Sequence, residues 1–349
     1  MLKNFNLSLV LAGVMGGAFA APSAGVIPIN TIQDLEHINS NLAGHYVLMK
    51  NLNLTGVKFM PIGSAQNQFT GYFDGGGHTL SNLTINVSKT NATGLFASVG
   101  EGAVIENLNL SNANVTGWVS TGILTGVNAG AINHVRISGN VTGDINTGGL
   151  VGANNVGKIS YCSANVSVTA NGNFAGGLVG GNSEGTIDHS FAIATVEDPN
   201  GNHVGGLVGD NYNGVISQSY AEGAVSGIDD VGGLSGGNDM GELSNAFANV
   251  SVNATGDFVG GLTGDNIESG NISNAYSLGH VSGGGIVGGL VGYSEGGVIN
   301  AYWDLDTSGQ EKSGGGVGES DLAMQNQNTY ENWDFKTVWQ MQKYPLLRN

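Results

Sequence analysis

Cysteine is nearly absent: Cys162 is the single one in 349 residues. No internal disulfide is available, so the fold must be held by burial and hydrogen bonding, and a small buried thiol is the expected state of Cys162. Proline is scarce, at 5 residues, which argues against a Pro-rich extended linker. Positive charge is scarce too. Lys and Arg total 10 against 27 Asp and Glu, a net charge of −17, and between residues 110 and 300 only Arg136 and Lys158 are basic. Nucleic acid is therefore not an expected partner, because phosphate neutralisation needs clustered Lys and Arg. Past the N-terminus no apolar run approaches the ~20 residues of a membrane-spanning helix. No stretch of the central region shows 3.6-residue periodicity, which removes helices from the expectation there.

Glycine is abundant. There are 61, where average usage near 7% would give roughly 24. A Gly-X-Y period is absent, so collagen is excluded, and 40% of residues are apolar, enough for a core. Residues 1–20 read as a signal peptide, with Lys3, an apolar run from Leu7 to Val14, and Ala18-Phe19-Ala20 as the small-x-small site. Export follows, to the medium or the cell surface, with the periplasm also open. Any surface attachment would then run through an unknown partner.

The glycines belong to a repeat. HVGGLVGDN at 203–211 recurs as FVGGLTGDN at 258–266 and IVGGLVGYS at 286–294. Aligned on the leucine, the copies fall at Leu124, Leu150, Leu178, Leu207, Leu234, Leu262 and Leu290, between 26 and 29 residues apart. Glycine stands two residues before and two after each leucine. Four residues after it come Asn128, Asn154, Asn182, Asn211, Asn238, Asn266 and then Ser294. A second block has the apolar anchors Ile132, Ile159, Ile187, Ile216, Leu243, Ile272 and Val298, followed by alternating β-branched runs such as Ala248-Asn249-Val250-Ser251-Val252. Short strands returning every ~28 residues without helices predict a single-stranded parallel β-helix, right-handed from the crossover preference of parallel strands. Alternation puts the leucine in the bore, with the flanking glycines leaving it room, and turns the next column (Thr125, Val151, Val179, Val208, Ser235, Thr263, Val291) outward. The asparagines are assigned to a corner, as a scaffold ladder from coil to coil.

The expected layout is a cap over 21–45, a β-helix over 46–303 with the repeats from about 117, and a C-terminal cap over 304–349. Thr31 to Leu35 starts like a capped helix that would plug the first coil, with Ile32, Leu35, Ile38 and Leu42 on one side. Ser320-Asp321-Leu322 starts another, and the aromatic tail with Tyr330, Trp333, Phe335, Trp339 and Tyr344 is expected to close the far end.

The repeated GGLVGxN resembles the GLUG motif of bacterial surface and secreted proteins. The segments GHYVLMKNLNL at 44–54, FTGYFDGGGHTLSNLTI at 69–85, AYWDLDTSG at 301–309 and YPLLR at 344–348 look like the usual start and end of such regions. The resemblance implies a β-helix of adhesin-like or haemagglutinin-like proteins. Similar regions stand beside the catalytic domains of immunoglobulin A1-cleaving metallopeptidases, but the zinc-binding HExxH of those enzymes does not occur here.

The functional expectation is an adhesin-like protein that binds glycan or protein through the side of the rod. The alternatives are a carbohydrate-active enzyme and a non-binding spacer. The candidate ligand column, four residues after each anchor, is Phe191, Tyr220, Phe247, Tyr276 and Tyr302. Strict alternation turns it outward, as a surface ladder for sugar rings; a corner would swing it into the core. No residue is given a catalytic role and no cofactor is expected. Asp210, Asp239 and Asp265 could form a stacked acidic set, and His134 and His189 read as surface polar residues around Tyr161. Asp304 and Asp306 imitate the start of an EF-hand loop, but position 12 is Gly315 instead of Glu, which makes a solvated turn the better reading.

Overall fold

The computed structural model describes residues 25–348; the expected signal peptide lies outside them. The chain is an all-β parallel solenoid of about 9 turns with a period near 28 residues. Among the described residues, no helix is long and apolar enough to cross a membrane.

One coil serves as the pattern. Val204–Gly205 is followed by the turn at Gly206-Leu207, then Val208–Tyr212, Val215–Ser217 and the long strand Tyr220–Gly227. Each strand pairs in parallel with its counterparts one coil before and after, as in Ala192↔Ala221↔Ala248 and Val196↔Val225↔Val252. The coils therefore stack in register and identical positions become columns.

Three columns carry left-handed backbone at the corners. One holds Asn146, Phe174, His203, Asp230 and Phe258; another Val156, Glu184, Asn213, Met240 and Glu268; the third His134, Tyr161, His189, Gln218, Asn245, Asn274 and Asn300. For non-glycine residues this conformation costs roughly 1–2 kcal/mol each. It persists because the strands on both sides are locked to neighbouring coils. The Asn column is not one of them. Its residues are buried strand positions, and the left-handed turn comes two residues later.

The asparagines form a buried ladder. Asn128 Nδ2 donates to Asn154 Oδ1 at 2.7 Å, and the chain of bonds continues through Asn182, Asn211 and Asn238 to Asn266, which donates to Ser294 Oγ at 3.1 Å. Each amide also donates to a glycine carbonyl at its own corner, as Asn211 does to Gly214 at 3.1 Å. Both amide hydrogens and the carbonyl are thus used inside the protein.

The leucine column is fully buried, but so is the column beside it: Val151, Val179, Val208, Ser235 and Thr263 are all at 0% exposure. The outward placement expected for that column is wrong, because the turn at Gly206-Leu207 interrupts alternation. Polar members survive there by bonding the carbonyl two residues on, as Ser235 does to Gly237 at 2.6 Å and Thr263 to Asp265 at 2.8 Å. The glycines also have a different purpose from making room for leucine. A Cβ on Gly205 would run into the Val208 carbonyl oxygen, and one on Gly209 would stand 2.6 Å from the Phe174 carbonyl carbon. Two strands of the coil approach backbone to backbone, which only glycine allows.

At the N-terminal end, Val26–Ile29 pairs with His45–Leu48, so the sheet begins ahead of the helix. Helix Ile32–Glu36 has a capping box: Thr31 Oγ1 accepts from the Asp34 N–H, and Asp34 Oδ2 accepts from the Thr31 N–H. Leu35 and Ile38 are fully buried on the core. At the other end Val317–Glu319 adds a further rung to Tyr302–Asp304. Ser313 Oγ accepts from Val291 N at 2.9 Å, covering part of the last motif strand's edge. The aromatic tail does not close the rod. It folds back along the flank, where Trp339 Nε1 donates to Asn245 Oδ1 at 3.2 Å and Trp333 Nε1 to the Asn300 carbonyl at 2.9 Å.

Candidate functional site

The flank under and beside that tail holds the candidate column. In the strand Phe191–Glu197, Ala192, Ala194 and Val196 fill the bore while Phe191, Ile193 and Thr195 point away from it. Alternation therefore holds at this corner and the rings stand outside the core. They stack face to face: Phe191 on Tyr220 at 4.8 Å and 5°, Tyr220 on Phe247 at 4.7 Å and 3°, Phe247 on Tyr276 at 5.1 Å and 9°. The inter-coil spacing of the sheet sets this distance.

Outside the core is not the same as open to solvent. Phe247, Tyr276 and Tyr302 are buried in a satellite cluster with Met324, Tyr330, Trp333 and Trp339. The Tyr276 hydroxyl donates to the Pro345 carbonyl at 2.6 Å. Phe191 and Tyr220 are half-buried, with Tyr220 packed against the edge of that cluster. Neither expected placement, a core ladder or a wholly exposed one, describes all five rings.

Next to these rings runs a second stack, in the column expected to hold His134 and His189 as surface polar residues around Tyr161. His134 lies on Tyr161 at 4.9 Å and 11°, and Tyr161 on His189 at 4.7 Å and 25°. All three occupy the left-handed corner, which projects their rings from the surface. His189 Nδ1 is 2.6 Å from Asp188 Oδ2, which fixes the ring. Between the two stacks lies a groove of about 290 Å³, lined by His134, Arg136, Tyr161, Phe191, Tyr220 and the tail residues Leu347 and Arg348. Arg348 is held in place by bonds from Nε to the Trp339 carbonyl and from Nη2 to the Phe335 carbonyl.

The acidic residues gather on a different set of columns. Asp210 and Asp265 lie one coil either side of Gly237, with His203 leaning over from its corner. Burial, reinforced by the neighbouring acids, raises Asp210 to about 7 and Asp265 to about 8, and burial with Asp229 raises Asp230 to about 6. Burial pushes the His203 imidazole down. Asp210, Asp239 and Asp265 are the acidic set suggested by the sequence, and His203 and Asp230 join them from a left-handed corner column.

Asp304 and Asp306 are used structurally. Asp304 is fully buried, and its Oδ1 accepts from the N–H groups of Asp306 and Thr307, capping the helix Leu305–Ser308. Asp306 Oδ2 accepts from Asp321 N at 2.8 Å. Asp304 is thus a buried cap, while Leu305, Asp306 and Thr307 of the turn are exposed. Cys162 is buried, its thiol raised to about 12 by desolvation, so it is an inert core residue.

Comparison with known proteins fits this architecture. The family described as the GLUG motif matches residues 200–226, one coil of the solenoid from the turn before Val204 to Ser226. This coil of the solenoid carries the GLUG motif. Halomucin of Haloquadratum walsbyi is 37% identical over 124 residues, a match that covers 32% of this chain and 1% of halomucin. A protein of Evansella cellulosilytica named "Putative Gly-rich membrane protein" is 34% identical over 373 aligned positions, covering 89% of this chain and 43% of that protein. The chain thus spans less than half the length of either relative. Among solved structures, a "putative immunoglobulin A1 protease" from Bacteroides ovatus superposes with a TM-score of 0.54 at 16% identity, covering 93% of this chain and 91% of that one. An "IgA1 Protease" gives 0.56 at 22% identity, over 71% of this chain and 21% of that one. At these identities the likeness concerns the fold alone.

Proposed function

We propose that this protein is an exported, adhesin-like rod that binds glycan or protein ligands through its flank, at the groove between the two ring stacks. The observation that carries the reading is the pair of stacks, His134–Tyr161–His189 and Phe191–Tyr220, which adjoin at the His189–Phe191 coil on the surface. Flat rings offer large contact area at little conformational cost, and their faces suit the C–H faces of sugars. Arg136 and Arg348 supply donors at the rim. Export is supported by the pattern in residues 1–20 and by relatives named as a halomucin and a membrane protein. Binding of the purified protein to a panel of neutral and acidic glycans, by calorimetry or on an array, tests the proposal. Tyr161→Ala and Phe191→Ala should weaken binding at least tenfold with the melting temperature nearly unchanged. Absence of binding to any glycan or cell surface would leave the non-binding spacer as the function.

A second reading, polysaccharide cleavage, draws on Asp210 and Asp265, whose displaced titration and proximity suit acid catalysis. New reducing ends from a glycan panel, lost in Asp210→Asn or Asp265→Asn, would establish it over the adhesin reading.

A further inference from the structure

On the columns formed by Val208–Tyr212 and Ser235–Asp239, ligating atoms from three successive coils converge. One ligand atom each from His203, Asp210 and Asp239 lie within 4.8 Å of one another. From the following coil comes Asp265, 6% exposed, with an Oδ1 that has no hydrogen-bond partner. It is aimed into the same space. A Cβ on Gly237 would stand 2.8 Å from Asp210 Oδ1, 3.0 Å from Asp265 Oδ1 and 3.0 Å from Cδ2 of His203. Glycine at this one row keeps the cradle open. Asp210 Oδ1, Asp239 Oδ1 and His203 Nδ1 are likewise buried without hydrogen-bond partners. Native proteins rarely leave one such atom unsatisfied, and here four face each other with no Lys or Arg in this stretch of sequence. Asp210 borders a surface groove of about 230 Å³ with Phe174 and Tyr212, which gives access from solvent.

We propose that this cradle is a divalent-cation site for a first-row ion such as Zn²⁺ or Mn²⁺, ligated by His203, Asp210 and Asp239 with Asp265 as a further oxygen. Imidazole beside carboxylates selects these ions over Mg²⁺, which prefers oxygen and keeps its water. Separations up to 4.8 Å are what ligands on opposite sides of an ion with bonds of ~2.0–2.4 Å span. The ion bridges three coils along the rod axis, a cross-link in a chain that has no disulfide. This site is separate from the ring-lined groove and does not depend on glycan binding.

The test is calorimetric titration of the untagged, EDTA-stripped protein with ZnCl₂ and MnCl₂, with MgCl₂ for comparison. One ion per chain is expected for Zn²⁺ or Mn²⁺, with a rise in melting temperature of ~2–8 °C at saturation. Asp210→Asn and Asp265→Asn should each weaken binding more than tenfold, while Asp304→Asn, at the helix cap, leaves it unchanged. Replacing a carboxylate by its amide removes like-charge repulsion, so the ion-free variants should melt no lower than the parent, and circular dichroism verifies their fold. No saturable binding at millimolar ion overturns the proposal. So does binding that both cradle variants leave intact, which would put the ion elsewhere on the acidic surface.

Discussion

Trp339→Ala separates the rod from its tail. Trp339 is fully buried, packs on Trp333 at 4.5 Å, Tyr276 at 6.1 Å and Phe247 at 6.4 Å, and donates to Asn245. Truncating a core tryptophan costs ~3–5 kcal/mol. In a solenoid each coil depends on its neighbours, and the tail is a satellite on the flank. The loss should therefore fall on tail docking and not on the rod. Guanidinium titration reads the two apart: in the variant Trp333 is the tail's remaining tryptophan, so its part of the fluorescence change, over that of Trp118 and Trp303 in the rod, follows tail docking, and far-UV circular dichroism follows the β-coils. The fluorescence transition should move to lower denaturant while the dichroism transition stays. Limited proteolysis should then cut between Met324 and Trp339. A common shift of both transitions by the full ~3–5 kcal/mol would refute the reasoning, because the tail would be part of the rod's own cooperative unit.

Leu207→Ala should cost ~2–5 kcal/mol in thermal or chemical melts, and Val208→Ser ~1–2 kcal/mol, since the new hydroxyl can bond the Asp210 carbonyl as Ser235 bonds that of Gly237; a neutral Val208→Ser would mean that the column is solvated after all. Asn211→Ala breaks the ladder on both sides, leaving donor and acceptor of Asn182 and Asn238 unmatched, and should cost ~2–4 kcal/mol; a loss below ~0.5 kcal/mol would show that water replaces the amide. Asp198 is fully buried and its carboxyl is raised by desolvation to about 7, so the folded state holds a proton that the unfolded state has released. Its contribution is complete below pH ~4 and is lost as pH rises through about 7: the melting temperature should fall from pH 5 to pH 8, and Asp198→Asn should reduce that slope.

The period, the leucine column and the Asn ladder were legible because a solenoid repeats its chemistry wherever a position is specified by packing or by a side-chain bond to the next coil. The left-handed corners were not. Their backbone is imposed by the strands on either side, so residues as unlike as His134, Tyr161, Met240 and Phe258 occupy them, and composition carries no signal. The burial of Val208 was hidden for a related reason: Ser235 and Thr263 made the column look solvated, while each satisfies its hydroxyl within two residues of itself. The tail's seat was unreadable because Trp339 meets Asn245 across 94 residues of sequence. The acid cradle was legible in part: Asp210, Asp239 and Asp265 stand on or beside the Asn column in successive coils, whereas His203 reaches them from a left-handed corner.

The length of the ring ladder bears on what it is for. A column that served only to seat the tail would need Phe247, Tyr276 and Tyr302, the rings that Trp333, Trp339 and Tyr330 cover. The stack continues past the buried rings to Tyr220, at the edge of the tail cluster, and on to Phe191, with the rings as close and as parallel as under the tail. At Phe191 it meets the corner column in the one coil where both columns carry rings, beside His189; the Tyr220 coil has Gln218 at its corner, and under the tail that column carries Asn245, Asn274 and Asn300. Rings fill the corner from His134 to His189, and under the tail Asn245 Oδ1 and the Asn300 carbonyl accept from its tryptophans. A run of rings that passes from one column to the next at His189 and Phe191, along a groove edged by Leu347 and Arg348, is the arrangement expected of a contact made with another molecule.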